Sequence, residues 1–180
     1  THKGIDINPY LEQLKGLSSA VEQTYGLHEE IKKVAKPLSK FKNLVVTADG
    51  ISYAVAKEAS LKIKETSYII VYSNILGEFM HGHVAILNNN VAQIHLSIED
   101  LSYTAIKNLN KIQEDYNPPL CVIGNNNNKV KADYKLNIDC ESVIVKAFCI
   151  VVIVQLLALE IAQSLHRNVD KPHGLNKVVK

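Results

Sequence analysis

The segment from Ala56 to Tyr68 carries the side chains best suited to acid–base chemistry. At helical spacing, Glu58, Lys62 and Glu65 occupy positions i, i+4 and i+7 and therefore lie on one side of a helix. A carboxylate beside an ammonium group can be tuned to act as a base. A surface ladder of glutamates and lysines is the simpler interpretation, and the residue types alone favour it.

A second segment, Gly77 to His83, has glycines on both sides of a glutamate and a histidine. Glycine lets the backbone approach a ligand, and His81 can carry protons near neutral pH. Glu78 and His81 have the i, i+3 spacing of carboxylate di-iron sites, but the sequence lacks the second Glu-x-x-His pair that such sites need. We therefore expect no metal and no other cofactor. We expect ordinary loop residues at three other histidines, namely His83, His95 and His166.

The third segment is the C-terminal tail, residues 168–180. Its Asp170 and Pro172 predict a defined turn instead of a frayed end. A lysine in an ordered tail can form an imine with a carbonyl substrate if its pKa is lowered. A solvated lysine is the alternative, and the tail by itself does not decide between them.

A strand, a tight turn and a helix are predicted in succession around Asp49, Gly50 and Ser52. Ligands of parallel α/β sheets gather beyond the carboxyl ends of the strands, where a helix N-terminus favours a phosphate. These three residues are therefore candidates for substrate binding. A strand-turn-helix junction also needs glycine and serine for purely structural reasons.

Short β-branched runs alternate with helix-favouring segments along the chain, which predicts parallel strand pairing. We expect a three-layer α/β/α sandwich of the flavodoxin type, with a mainly parallel sheet of about four or five strands and right-handed crossovers. Four strands are predicted at residues 43–48, 91–97, 120–124 and 134–138, and three helices at residues 52–65, 99–115 and 143–166.

The first 42 residues are expected to form a helical segment that packs on a single domain of residues 43–180. Asn8 and Pro9 mark a helix start, and the helix should run towards Lys36, unbroken or as two segments divided at a glycine. The chain does not begin with methionine, which suggests a piece of a longer protein.

Composition excludes several classes of protein. Hydrophobic residues make up 47% and charged residues 21% of the 180, which is typical of a globular domain. A net charge of +2 is too small for a nucleic-acid or membrane-surface protein. The apolar stretch from Val143 to Ala162 is interrupted by charged and polar residues, so we expect a buried helix and no membrane span. Three unpaired cysteines without a C-x-x-C motif indicate buried thiols in a reducing cytoplasm.

The three segments together resemble the second sugar-isomerase (SIS) domain of the glucosamine-6-phosphate synthase family, from about Asn43 to Lys180. The family motifs are A-x-E-x-x-L-K-x-K-E-x-S-Y, G-E-x-x-H-G-P and V-D-x-P-x-x-L-x-K. The matching residues are Ala56, Glu58, Leu61, Lys62, Lys64, Glu65, Ser67, Tyr68, Gly77, Glu78, His81, Gly82, Val169, Asp170, Pro172, Leu175 and Lys177.

The resemblance implies an aldose–ketose isomerisation of a hexose phosphate such as fructose 6-phosphate. In that family the residue matching Glu65 shuttles a proton between two carbons, and the one matching Lys177 forms an imine with the open-chain ketose. The residue matching His81 assists ring opening from across a homodimer interface, while those matching Glu58 and Lys62 support the site. No nucleic acid or membrane partner is implied.

The chain departs from the family at Met80, His83 and His173, where the family has lysine, proline and arginine. It also has no counterpart of the first SIS domain, whose serine- and threonine-rich loops grip the phosphate, and no glutaminase domain, so amide transfer is not expected from this chain alone. Two hypotheses follow: an isomerase or deaminase module that needs another domain or subunit for the phosphate, and a non-catalytic sugar-phosphate-binding or dimerisation module.

Overall fold

A five-stranded sheet forms the centre of the computed structural model, which describes residue 4, residues 6–124 and residues 128–174. The strands are β1 (Asn43–Ala48), β2 (Ile70–Ile75), β3 (Val91–Ser97), β4 (Leu120–Gly124) and β5 (Tyr134–Asn137). The helices are α1 (Asn8–Leu14), α2 (Leu17–Tyr25), α3 (His28–Leu38), α4 (Ser52–Ser67), α5 (Leu76–Phe79), α6 (Tyr103–Asp115) and α7 (Val143–Ser164), with one 3₁₀ turn at His83–Ile86.

All neighbouring strands pair in parallel, in the order β2-β1-β3-β4-β5. Successive side chains of a strand point to opposite faces, so each strand contributes to two separate hydrophobic cores. Leu44 and Val46 of β1 pack with α3, α4 and α7, whereas Val45 packs with α5 and α6. The two cores confirm the predicted three-layer α/β/α arrangement.

Strand β2 was not among the predicted strands, although its β-branched and aromatic residues favour a strand. It follows α4 almost at once and lies at the edge of the sheet, where Ile70 and Tyr72 remain about half exposed. Strands β1, β3 and β4 have the predicted bounds, and β5 ends one residue earlier, at Asn137.

Two helix predictions need correction. Helix α6 begins at Tyr103 instead of residue 99, because the hydroxyl of Ser102 accepts the N–H of Ala105 and caps the helix there. The N-terminal segment contains three helices instead of one or two, with breaks at Gly16 and Gly26. Helices α2 and α3 pack against α7.

Helix α7 is long and apolar enough to cross a membrane by length and composition alone. In this fold it lies against the sheet and against α3 and α4, and its inner face, including Ile153 and Leu157, is fully buried. The predicted buried helix is therefore confirmed.

Cys149 of α7 and Cys121 of β4 are buried free thiols, while Cys140 is partly exposed. Burial raises the pKa of the Cys121 thiol to about 12.

Candidate functional site

Helix α4 brings Glu58, Lys62 and Glu65 together on its outer side. The Lys62 Nζ lies 2.7 Å from Glu65 Oε2 and 3.9 Å from Glu58 Oε1. The three side chains are each about one-third exposed, at 38%, 34% and 30%. The hydrogen bond to Glu65 raises the pKa of Lys62, and the negative charges of both glutamates add to this effect against the opposing effect of burial. Lys62 is therefore a firmly protonated partner that holds the Glu65 carboxylate in place.

The position of this cluster is set by how α4 is held. Its opposite face is buried in the core through Ala56, Ala59 and Ile63. At its C-terminal end, the Thr66 hydroxyl donates to the carbonyls of Lys62 and Ala158, at 2.8 and 3.3 Å. Since Ala158 belongs to α7, the C-terminal parts of α4 and α7 are joined side by side.

The C-terminal tail folds back onto the end of α4. The Arg167 guanidinium lies 5.1 Å from the centre of the Tyr68 ring, and the His173 N–H donates to the Tyr68 hydroxyl at 2.5 Å. A turn is present where it was predicted, because the Asn168 side chain accepts the backbone N–H groups of Asp170 and Lys171. Lys177, the predicted imine-forming residue, lies outside the described residues.

His81 is separated from Glu65 within this chain. It is exposed and follows α5, whose Leu76 and Phe79 pack on the sheet face opposite to α4. The sheet therefore stands between the imidazole and the glutamate. The next residue, Gly82, has φ 144°, a conformation that side chains rarely adopt, so a glycine is needed there.

The predicted substrate-binding residues Asp49, Gly50 and Ser52 line one cavity of about 170 Å³. It lies beyond the carboxyl ends of β1 and β3, where the chain leaves β1 for β2 on one side of the sheet and returns to β3 on the other. Such a switch point is where open α/β sheets form their crevices. Sequence reasoning missed the other polar residues that line this cavity: His95, Ser97, Glu99, Asp100 and Ser102.

The electrostatic character of this cavity is acidic, since Asp49, Glu99 and Asp100 all contribute carboxylates. Partial burial raises the pKa of Asp49, and hydrogen bonds from the backbone N–H groups of Gly77 and Leu76 oppose that effect. The Ser52 hydroxyl already accepts the N–H of Ile98 at 2.9 Å. Negative charge on these acidic side chains disfavours the binding of an anion in the cavity.

His95 is not a loop residue, which corrects the prediction. It lies in the middle of β3, almost fully buried, with its Nδ1 3.0 Å from the Thr47 hydroxyl. That hydroxyl also accepts a hydrogen bond of 2.9 Å from Gln93 Nε2. Burial lowers the pKa of His95 to about 4, so the imidazole is neutral at physiological pH.

The two groups of predicted site residues are far apart. Ser52 begins α4 and Glu65 lies thirteen residues later, which corresponds to roughly 20 Å along the helix axis at 1.5 Å per residue. The α4 cluster and the acidic cavity are therefore separate places. Within the described part of the chain, no group of three or more histidine, cysteine or acidic side chains is arranged to hold a metal ion.

Comparison with known proteins identifies the family. The SIS domain matches residues 37–164, which is well over half of the chain. The chain belongs to the SIS domain family. Two curated relatives carry the name glutamine–fructose-6-phosphate aminotransferase (isomerizing). The protein of Aquifex aeolicus is 32% identical over 171 residues, and that of Methanococcus maripaludis is 31% identical over 182 residues.

This SIS domain covers only part of those relatives. The two alignments include 92% and 98% of this chain but 28% and 29% of the relatives. Among solved structures, the C-terminal domain of glucosamine-fructose-6-phosphate aminotransferase from Francisella tularensis matches with a TM-score of 0.81 at 23% identity, over 92% of this chain and 47% of that one. Tagatose-6-phosphate ketose/aldose isomerase from Escherichia coli matches with a TM-score of 0.70 at 18% identity, over 85% and 43%. At these identities the structures establish the shared fold.

The buried histidine of this SIS domain predicts a pH-dependent stability. The unfolded chain binds a proton on His95 below about pH 6.5, whereas the folded protein resists it down to about pH 4. The free energy of unfolding should therefore fall as the pH decreases through this window, by about 2 kcal/mol between pH 7 and pH 5. Urea unfolding at both pH values should show this loss in the wild type and a clearly smaller one in His95→Asn. His83→Asn, on the exposed 3₁₀ turn, is the matched control, and an equal pH dependence of all three proteins would refute the assignment.

Proposed function

We propose that this SIS domain binds a hexose phosphate of the fructose 6-phosphate or glucosamine 6-phosphate type and contributes the proton-transfer half of an aldose–ketose isomerase. The observation that carries the proposal is the Lys62–Glu65 pair at 2.7 Å, next to an ordered tail at the end of α4. The names of the relatives support the substrate class, since they combine fructose 6-phosphate with an isomerising step. The fold alone does not determine the activity, because the same fold hosts many activities.

Glu65 is the proposed base. Isomerisation moves a proton between C1 and C2 of the open-chain sugar through an enediol or enolamine, and a single carboxylate can remove and return it. Lys62 keeps Glu65 oriented through the hydrogen bond described above, while Glu58 holds Lys62 from the other side. A carboxylate that shuttles a proton must be held in its reactive orientation, and neighbouring side chains can do this.

Lys177 is the proposed nucleophile. Its amine would attack the C2 carbonyl of the open-chain ketose, and loss of water would give an imine that withdraws electrons from C1. It follows His173 by four residues, and a chain of four residues spans at most about 14 Å. The His173 N–H is bound to Tyr68, so the point from which the chain continues to Lys177 lies beside the end of α4.

The ring-opening acid is proposed to be His81 of a second copy of the chain. An imidazole suits proton transfer to a ring oxygen near neutral pH. The sheet separates His81 from Glu65 within one chain. A homodimer that brings His81 of each chain next to Glu65 of the other would make each site complete. We also propose that the protein works in the cytoplasm.

The phosphate is proposed to be held by another SIS domain or subunit. The crevice where Asp49, Gly50 and Ser52 were expected to bind substrate has three carboxylates and a hydroxyl already engaged by Ile98. The same observation supports the alternative, a non-catalytic sugar-phosphate-binding or dimerisation module. The two differ in whether Glu65 moves a proton.

The first test is isotope exchange. A large excess of fructose 6-phosphate offsets the absence of the second domain's hold on the phosphate. Incubated with the chain in D₂O, the sugar should take up deuterium at C1, measured by NMR, and Glu65→Gln should slow this uptake by about 10²- to 10⁴-fold, the usual contribution of a general base. Glu141→Gln removes an exposed carboxylate away from the cluster and should exchange as fast as the wild type. If wild type and Glu65→Gln are equally inactive and neither binds the sugar phosphate, the catalytic proposal fails.

The second test is complementation between inactive variants. Glu65→Gln and His81→Asn should each be inactive alone, but mixed dimers contain one site with both native residues. After random re-association of equal amounts, about a quarter of the wild-type rate should return, because half of the dimers are mixed and each has one intact site. A mixture that stays as inactive as its components would show that Glu65 and His81 do not meet across an interface.

A further inference from the structure

We propose that Tyr68 is a positioning residue, whose ring and hydroxyl hold the C-terminal segment 166–174 against the end of α4. The inference rests on the proposed function in one respect, since the segment leads to Lys177. The contacts that hold the segment join Tyr68 to Arg167 and to His173.

The two helix ends that meet at Tyr68 each close with an unusual backbone turn. Tyr68 ends α4 in the left-handed conformation, with φ 65°, and its N–H bonds to the Lys64 carbonyl. His166 has φ 55° just after α7, and the N–H of Arg167 returns to the carbonyl of Ala162 at 2.9 Å. These turns direct Tyr68 and Arg167 towards each other, because α4 and α7 are packed side by side.

The left-handed position at a helix end is normally taken by glycine, since a side chain there is disfavoured. The chain nevertheless places a large aromatic residue at it. Tyr68 is 41% exposed, so the need to fill the core does not account for it. Among the described residues, the Tyr68 side chain contacts the tail at Arg167 and at His173.

Between Arg167 and His173 the tail forms a turn that is held by its own hydrogen bonds. Asn168 accepts the N–H groups of Asp170 and Lys171 at 3.0 and 3.2 Å, which folds the segment into an Asx turn. The tail is therefore held at both ends of a pre-formed turn by a single tyrosine. An exposed cation–π contact and one surface hydrogen bond each change an equilibrium by only about fivefold, so the segment can still open.

An opening segment suits the proposed reaction, in which a sugar must enter before the lysine amine can reach it. Tyr68 lies three residues after Glu65, less than one helical turn. Holding segment 166–174 at this point keeps the part of the chain that leads to Lys177 at the same end of α4 as Glu65. Among the described residues Tyr68 makes no recorded contact with Glu65, so the role proposed for it is positioning.

The test measures amide exchange of the full chain by NMR. In Tyr68→Phe the ring stays but the acceptor hydroxyl is lost, and the His173 amide should exchange about fivefold faster. Arg167→Gln should have a similar effect on the same amide, although it leaves the hydroxyl untouched. Tyr68→Gly removes both contacts while easing the left-handed backbone, so His173 should exchange at least tenfold faster with the Ile63 amide of α4 still protected.

Tyr103→Phe is the matched control, since that tyrosine is 82% exposed and begins α6 on the other side of the sheet. Its His173 exchange should equal that of the wild type. If Tyr68→Phe and Arg167→Gln leave the His173 amide unchanged, the anchoring role is overturned.

A second readout connects the anchor to the reaction. Borohydride donates a hydride to an imine carbon and so fixes fructose 6-phosphate on Lys177 as a stable amine. The initial trapping rate should fall about fivefold in Tyr68→Phe, and equal rates in both proteins would overturn the positioning role. A wild-type chain that traps no sugar would refute the imine step of the proposed function, whereas the exchange experiment would still decide the anchor.

Discussion

The packing of α4 against α7 at their C-terminal ends is the constraint on which the candidate site depends. Helix α4 carries the Glu58–Lys62–Glu65 cluster on its outer side because its inner side is committed to the core. Helix α7 ends beside it, joined through Thr66 and Ala158, and so delivers the tail to Tyr68. A shift of either helix would separate a half-buried base from the segment that leads to the proposed nucleophile.

The same fold explains why the proposed site is incomplete in one copy of the chain. The sheet divides the α4 cluster from His81, and the length of α4 divides it from the crevice at the switch point. Three acidic residues line that crevice, and negative charge there disfavours a sugar phosphate. The proposed chemistry therefore requires a second copy for the imidazole and another domain or subunit for the phosphate.

Much of the layered fold was predictable because it depends on local patterns: β-branched runs for β1, β3 and β4, and helical spacing for α4 and α7. The i, i+4, i+7 arrangement likewise predicted that Glu58, Lys62 and Glu65 share a side. Contacts between distant segments were not predictable. Burial of His95 with Thr47 depends on strand pairing, and the acidic crevice depends on Glu99 and Asp100 returning beside Asp49. Strand β2 was missed because its edge position leaves it half exposed. The contacts of Tyr68 with the tail depend on left-handed backbone conformations at Tyr68 and His166, which no sequence pattern predicts.

Sugar phosphate is proposed to bind and react at the C-terminal end of α4. Titration of the ¹⁵N-labelled chain with fructose 6-phosphate tests it most directly, with inorganic phosphate as the control. Fructose 6-phosphate should change the chemical shifts of residues 58–68 and 166–174, and inorganic phosphate should not reproduce these changes. Changes confined to the crevice around Asp49, Gly50 and Glu99, with the end of α4 unaffected, would contradict it.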